Sequence, residues 1–253
     1  MRLENKSIVV TGASAGIGRA IVKCFVQEGA NVVAVARRQE RLEALVEELK
    51  DSSGKILPFA GDIGKKEIND MMIDFAIEKF GRLDVLVNNA GIMDDNTAIA
   101  DMSDEMLDWL LNVNTCAPMF AMRKAVRVFL DQDDEKGNII NIASVGAIHQ
   151  TAGVAYCVSK AALVSATKNT AFMYLEKGIR CNAISPGGVL TDIPLVMPAS
   201  DPFGFERTSS LLSHAPEMGM PEDVARIALF LASDDSRFIN GSVVTADGGW
   251  TSF

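Results

Sequence analysis

Short apolar runs and amphipathic stretches of helical period alternate along this chain from its first residues to its last. Ser7–Thr11 is an apolar run that stops at a glycine, and residues 16–29 then place Ile17, Ala20, Ile21, Cys24 and Phe25 on one helical face. Strand-like runs recur at Asn31–Ala36, Lys55–Ala60 and residues 84–88, 138–143, 179–184 and 242–246. Between them, helices are expected at 39–50, 65–80, 102–130 (one helix or two, breaking near Pro118), 155–177 and 221–233. Gly81 suits a left-handed cap and Pro221 a first helical turn. Continuously apolar strands, each followed by a helix, specify a parallel sheet covered on both faces. The expectation is a single α/β domain, doubly wound and Rossmann-like. A chain of 253 residues, 48% of them apolar, can fill such a core. Residues 191–216 have no clear period and are rich in Pro, Ser, Met and Phe; they read as an irregular lid over a substrate, or as an oligomer contact or disordered loop.

Charge and composition remove several function classes. The 24 basic and 33 acidic residues give a net charge of −9, which disfavours nucleic acid and other acidic partners. No apolar run approaches the roughly 18 residues that span a bilayer, and the first residues lack a signal-peptide core, so a cytoplasmic location is expected. Cys24, Cys116, Cys157 and Cys181 are far apart and read as reduced thiols. With only His149 and His214, a histidine-rich metal site is excluded, and no metal is expected.

The first strand-to-helix turn is Thr11-Gly12-Ala13-Ser14-Ala15-Gly16-Ile17-Gly18. Glycines at that place let the backbone turn sharply and approach a pyrophosphate, while the helix N-terminus offers free N–H groups and partial positive charge. A tight structural turn is the alternative. An NAD site places an acidic residue at the end of the second strand, for the ribose 2′-hydroxyl. Here that place is Ala36, followed by Arg37 and Arg38. A guanidinium pairs with a 2′-phosphate where a carboxylate would repel it, so NADP(H) is expected over NAD(H).

Further motifs appear in order: Gly61-Asp62, Leu83-Asp-Val-Leu-Val-Asn-Asn-Ala-Gly91, Asn114, Ser144, Tyr156-x-x-x-Lys160, Pro186-Gly187, Thr191 and Asp247-Gly-Gly249. With the glycine turn, they resemble the short-chain dehydrogenase/reductases of the single-domain type, to which 3-oxoacyl reductases and many hydroxysteroid dehydrogenases belong. The resemblance implies a seven-stranded sheet ordered 3-2-1-4-5-6-7 and assembly as a homotetramer. It also implies a cofactor site. That site comprises Gly12, Ser14, Gly16, Ile17, Gly18, Arg37, Arg38, Asp62 and Ile63, then Asn89, Ala90, Gly91, Tyr156, Lys160, Pro186, Gly187, Val189 and Thr191. Asp62 would meet the adenine, Pro186, Gly187 and Thr191 the nicotinamide end. It makes Asn114, Ser144, Tyr156 and Lys160 the catalytic set, with Asn114 anchoring a water that relays protons to Lys160. Asn112 is the nearby alternative, and Pro118 at the family's usual offset favours Asn114.

The chemistry is also readable from the residues. Tyr156 and Lys160 are four apart in an expected helix and project from one face. A free phenol titrates near about 10, too high for a base at neutral pH, and an adjacent ammonium is expected to lower it. Tyr156 then gives a proton to an alkoxide in reduction or takes one in oxidation, and Ser144 bonds the carbonyl oxygen where charge develops. His149 reads as a substrate contact or a loop-surface residue, and His214 ends the lid. The lid's Ile193, Leu195, Val196, Met197, Phe203, Phe205, Leu211 and Leu212 suit an apolar small-molecule substrate, or packing on the protein's own core. Acidic residues at 131–135 and little positive charge at 171–177 disfavour an acyl carrier protein as partner. The leading expectation is an NADP(H)-dependent ketone/secondary-alcohol oxidoreductase. A redox sensor without turnover and a structural subunit are the alternatives.

Overall fold

The chain is described by a computed structural model over residues 1–133, 136–191 and 201–252. Seven strands form one parallel sheet: β1 (Ser7–Thr11), β2 (Asn31–Ala36), β3 (Lys55–Ala60), β4 (Val85–Asn88), β5 (Gly137–Ile142), β6 (Ile179–Pro186) and β7 (Val243–Ala246). Their order is β3-β2-β1-β4-β5-β6-β7, as the motif set implied. The order reverses between β1 and β4, and that switch point leaves a crevice at the carboxyl ends of the strands.

Alternation along each strand builds two cores. Ile8 and Val10 of β1 join Val32, Ala34, Val85 and Val87 on one face, under helices α1 (Gly16–Gln27), α2 (Gln39–Glu48) and α8 (Pro221–Ala232). Val9, Val33, Val35 and Leu86 point the other way, under α3 (Lys66–Phe80) and α5 (Ala117–Asp131). Val9 stands opposite both Val33 and Leu86 in the parallel register, so three strands present one continuous apolar row. Gly81 ends α3 with φ 79°, the left-handed cap expected of it.

Two stretches depart from the sequence expectation. The 102–130 region is α4 (Asp104–Leu111), a π-helical turn Asn112–Cys116, and then α5 with Pro118 in its first turn. The proline does mark a boundary, but the chain stays helical through it, the π-helical turn just before it carrying the backbone bonds at i−5 spacing, as from the Ala117 N–H to the Asn112 carbonyl. Residues 191–216 are not irregular throughout, because Pro202–Leu212 forms α7. Asp201 caps it by accepting the Gly204 N–H at 2.7 Å, and Pro202 presets its first turn. Residues 192–200, with Ile193, Leu195, Val196 and Met197, lie outside the described residues, as does the side chain of Leu212. The helix carrying Tyr156 and Lys160 is α6 (Val154–Met173), followed by a separate short turn Leu175–Lys177 that ends at Gly178, φ 69°. Among the described residues, no helix is long and apolar enough to cross a membrane.

Candidate active site

The glycine turn is shaped by close approaches that no side chain would permit. Gly12 and Gly16 have φ 69° and 50°, and a Cβ on Gly12 would sit 2.6 Å from Asn89 Nδ2 and 2.9 Å from the Ala90 backbone. A Cβ on Gly18 would strike the Gly12 carbonyl oxygen. Thr11 ties this turn to β4: its hydroxyl accepts the Asn89 and Ala90 N–H groups at 3.0 and 3.1 Å, and Asn89 Nδ2 donates to the Thr11 carbonyl at 2.9 Å. The N-cap of α1 is Ala15, which offers no side-chain acceptor, and its first turn holds no acidic residue. Its leading N–H groups therefore face the crevice without a capping side chain. A cavity of about 320 Å³ opens beside it, lined by Gly16, Arg19, Leu190, Thr191 and Pro221 among others. A helix N-terminus without a capping side chain, an adjoining cavity and a Cβ-free backbone fit a pyrophosphate.

Beyond β2, Ala36 is buried, and Arg37 and Arg38 are exposed. Arg38 Nη2 lies 3.4 Å from the Ser14 hydroxyl, which brings a guanidinium to the turn. Asp62 accepts the Gly64 N–H at 3.0 Å, and Ile63 packs into the second core. On the far side, Gly187 donates to the Ala246 carbonyl at 3.0 Å, and Val189 bridges Gly219 next to Leu190. Thr191 stands against Gly16, since a Cβ on that glycine would approach its side chain to 3.1 Å. The β6 exit and the glycine turn thus face one another across the crevice.

Ser144, Tyr156, Lys160 and Asn114 gather between these walls. Ser144 follows β5 and caps the short turn Val145–Ala147, its Oγ accepting the Gly146 N–H at 3.0 Å, and it hydrogen-bonds the Tyr156 hydroxyl. Lys160 is 4% exposed; its Nζ donates to the Ile142 carbonyl at 2.9 Å and lies 5.8 Å from the Tyr156 ring centre. Gly91 sits against both Lys160 Nζ and Asn114 Oδ1, at 3.2 and 3.3 Å from the position of its absent Cβ. Asn114, fully buried in the π-helical turn, accepts the Ile92 N–H and donates to the Ile92 carbonyl, both at 2.9 Å, and donates to Ser159 Oγ at 3.1 Å. Asn112 is exposed and donates instead to the Gly64 carbonyl at 3.0 Å, which separates it from this group.

The electrostatics differ from the simple pairing expectation. Burial pushes the Tyr156 phenol up to about 12, against the lowering effect of its bond to Ser144. Burial also pulls Lys160 down to about 8. In this cofactor-free arrangement burial dominates the phenol, because helical spacing sets a shared face but not how much water the face loses. His149 is part-buried in the loop after Ser144, and His214 is exposed and paired with the Ser213 hydroxyl at 3.1 Å. All four cysteines are free, and no metal-binding cluster occurs among the described residues.

Two residues of this network escaped the sequence reading. Ser159 Oγ joins Asn114 to the Tyr156 carbonyl, which it reaches at 2.8 Å. Asp94 accepts the Gly153 and Tyr156 N–H groups at 3.0 and 2.9 Å. The spacing of Ser159 within the Tyr156–Lys160 turn could have signalled a role; nothing local marks Asp94.

Residues 12–251 match a family model described as enoyl-(acyl carrier protein) reductase. The chain is 41% identical over 252 residues to 3beta-hydroxysteroid dehydrogenase 2 of Eggerthella lenta, covering 99% of this chain and 96% of that one. It is 36% identical to a 3-oxoacyl-[acyl-carrier-protein] reductase of Thermotoga maritima, over 98% and 99% of the two chains. A crystal structure of a short-chain dehydrogenase from Burkholderia cenocepacia in complex with NADP superposes with a TM-score of 0.85 at 32% identity, covering 99% of each chain.

Proposed function

The chain belongs to the short-chain dehydrogenase/reductase family, and on that footing we propose that it is an NADP(H)-dependent oxidoreductase interconverting a ketone and a secondary alcohol on an apolar, hydroxysteroid-like substrate. The observation that carries this reading is the convergence of Ser144, Tyr156, Lys160 and Asn114 at Gly91, between the glycine turn and the β6 exit. When bound, the cofactor supplies the hydride and, in its oxidised form, a positive charge. The α1 N-terminus, Gly12, Ser14, Gly16, Ile17 and Gly18 would hold its pyrophosphate, and Arg37 and Arg38 the 2′-phosphate. Asp62 would meet the adenine beside Ile63, Asn89, Ala90 and Gly91 would line the cofactor cleft, and Pro186, Gly187, Val189 and Thr191 the nicotinamide side.

In reduction, Tyr156 gives its proton to the substrate oxygen while the Ser144 hydroxyl bonds that oxygen as negative charge develops. A phenol pushed up to about 12 is fully protonated at neutral pH, so the cofactor-free site is charged as an acid. In oxidation the same phenol must become a base, and the buried Lys160 ammonium, protonated below about 8, offsets the cost of phenolate. Asn114 holds the Ile92 segment beside Lys160, where a water relaying protons to Lys160 would be anchored.

The E. lenta relative and exposed apolar side chains at Ile148, Leu190, Phe203 and Phe205 support a steroid-like substrate under a lid that includes α7. The net charge of −9 weighs against an acidic carrier protein, although Asp134 and Glu135 of the acidic 131–135 run lie outside the described residues. Exposed Phe172, Met173 and Leu175 at the end of α6 supply an apolar patch for assembly into a homotetramer.

The test is NADPH oxidation with ketosteroids and NADP reduction with hydroxysteroids, beside panels of smaller ketones and alcohols. Turnover is expected, with Tyr156→Phe reducing kcat by about 10²- to 10⁴-fold. Stoichiometric NADPH binding without turnover on any panel would overturn the enzyme reading in favour of a sensor.

A further inference from the structure

We propose that Asp94 is a positioning residue for Tyr156: from the loop after β4, its carboxylate clamps the first turn of α6 and so fixes where the phenol points. The proposal rests on the acid/base reading of Tyr156. The N-cap of helix α6 is Gly153, which has no side chain to cap it. A helix start normally finds its acceptor at the N-cap, satisfying the N–H of the second or third helical residue. Here Tyr156 is that third residue, and its N–H goes to Asp94 at 2.9 Å, a residue 62 positions upstream. The Gly153 N–H goes to the other oxygen of the same carboxylate at 3.0 Å, and Asn96 N–H reaches it at 3.2 Å. The loop also satisfies the intervening Val154 N–H, through the Thr97 carbonyl at 3.1 Å.

The carboxylate is 1% exposed and fits closely, since a Cβ on Gly153 would overlap it. Burial pushes its carboxyl above the ordinary aspartate value, against the backbone N–H groups it accepts and the positive end of a 20-residue helix, which favour the ionised form. From the other side, Ser159 Oγ holds the Tyr156 carbonyl, and Asn114 joins Ser159 to Ile92. Both backbone polar groups of Tyr156 are therefore tied to residues 92–94, the N–H directly and the carbonyl through the Ser159 and Asn114 side chains. These follow Asn89, Ala90 and Gly91, so the cofactor wall and the proton donor share one support. The same loop reaches α7, where the Asp201 N–H donates to the Asp95 carbonyl at 2.7 Å.

Asp94→Asn separates positioning from mere folding. The amide keeps one acceptor and turns a donor toward a backbone N–H, so the phenol is mispositioned. Expected is a fall in kcat of about tenfold to a hundredfold, with KM and the NADPH Kd changed by less than about threefold. The charge leaves a second mark. The groups facing the phenol are Asp94, Lys160 and Cys157, with Ser144 bonded to it, and Asp95 next to Asp94. Removing the Asp94 charge eases phenolate formation, so the pH midpoint of kcat for alcohol oxidation moves down. Wild-type kcat, or a reduced kcat with an unmoved midpoint, overturns the proposal. If the variant does not fold, amide NMR of the wild-type protein decides. The Gly153 and Tyr156 N–H resonances should titrate together, at one midpoint above the usual aspartate value, and no shared titration overturns the contact. Failure of the wild-type enzyme to turn over any substrate would sink the acid/base reading instead, and leaves the amide titration to judge Asp94 on its own.

Discussion

The glycine turn between β1 and α1 and the segment between β6 and α8 face each other across the crevice, with Gly16 against Thr191. They are specified in different ways. The turn is set by what cannot fit: positive φ at Gly12 and Gly16, and a Gly18 whose missing side chain leaves room for the Gly12 carbonyl. Its shape follows from the consecutive residues Gly12 to Gly18 and one hydroxyl, Thr11. The opposite segment is set by what it touches. Its α7 leans on the β4 loop through Asp201 and Gly204, and on the C-terminal turn through Trp250, whose indole N–H donates to the Leu211 carbonyl at 3.0 Å. Phe203 and Phe205 remain exposed there. A backbone that must present N–H groups to a phosphate tolerates little variation. A wall that must fit one substrate among many can be built from replaceable apolar contacts.

Substituting on each side breaks or sharpens this contrast. Gly18→Ala should have the largest effect, because backbone must move to admit the methyl group. A loss of about 1–3 kcal/mol of stability is expected, with NADPH binding weakened about tenfold or more; thermal unfolding and calorimetric titration read both, and a tolerated alanine would undo the steric account of the turn. Replacing Ala36 by Asp together with Arg37 by Ala should move the NADPH-over-NADH preference by about tenfold toward NADH, the value of one charge-assisted contact. Unchanged kinetics with both cofactors would refute the 2′-phosphate assignment. Phe203→Ala should do least: KM for a steroid substrate rises about two- to fivefold at constant kcat, the pattern of lost uniform binding. A collapse of kcat there would mean that α7 shapes the catalytic group rather than only the substrate wall.

The same contrast explains what could be read from sequence. The strands, the helices, the glycine turn and the Tyr156–Lys160 face were legible because each depends on neighbours within a few residues. Asn114 was distinguishable from Asn112 through Pro118, although the π-helical turn that buries one and exposes the other left no sequence mark. Helix α7 was missed because its Pro, Ser and Phe composition resembles a loop, and its stabilising contacts come from residues 95–96 and 250. Asp94 was invisible for the same reason, with partners 59 and 62 residues away. The direction of the Tyr156 shift is not legible either, because burial, opposed by the bond to Ser144, is set by the surrounding fold and not by the four-residue spacing.

The central claim is that Tyr156 is the group whose proton moves with the hydride. The chain has only two tyrosines, Tyr156 and Tyr174, so ¹³Cζ-tyrosine NMR isolates the phenol, with Tyr174 at the far end of α6 as internal reference. In the cofactor-free protein the Tyr156 signal should titrate near about 12, and on addition of saturating NADP its midpoint should fall toward neutral pH. A Tyr156 midpoint that NADP leaves unchanged would contradict the account.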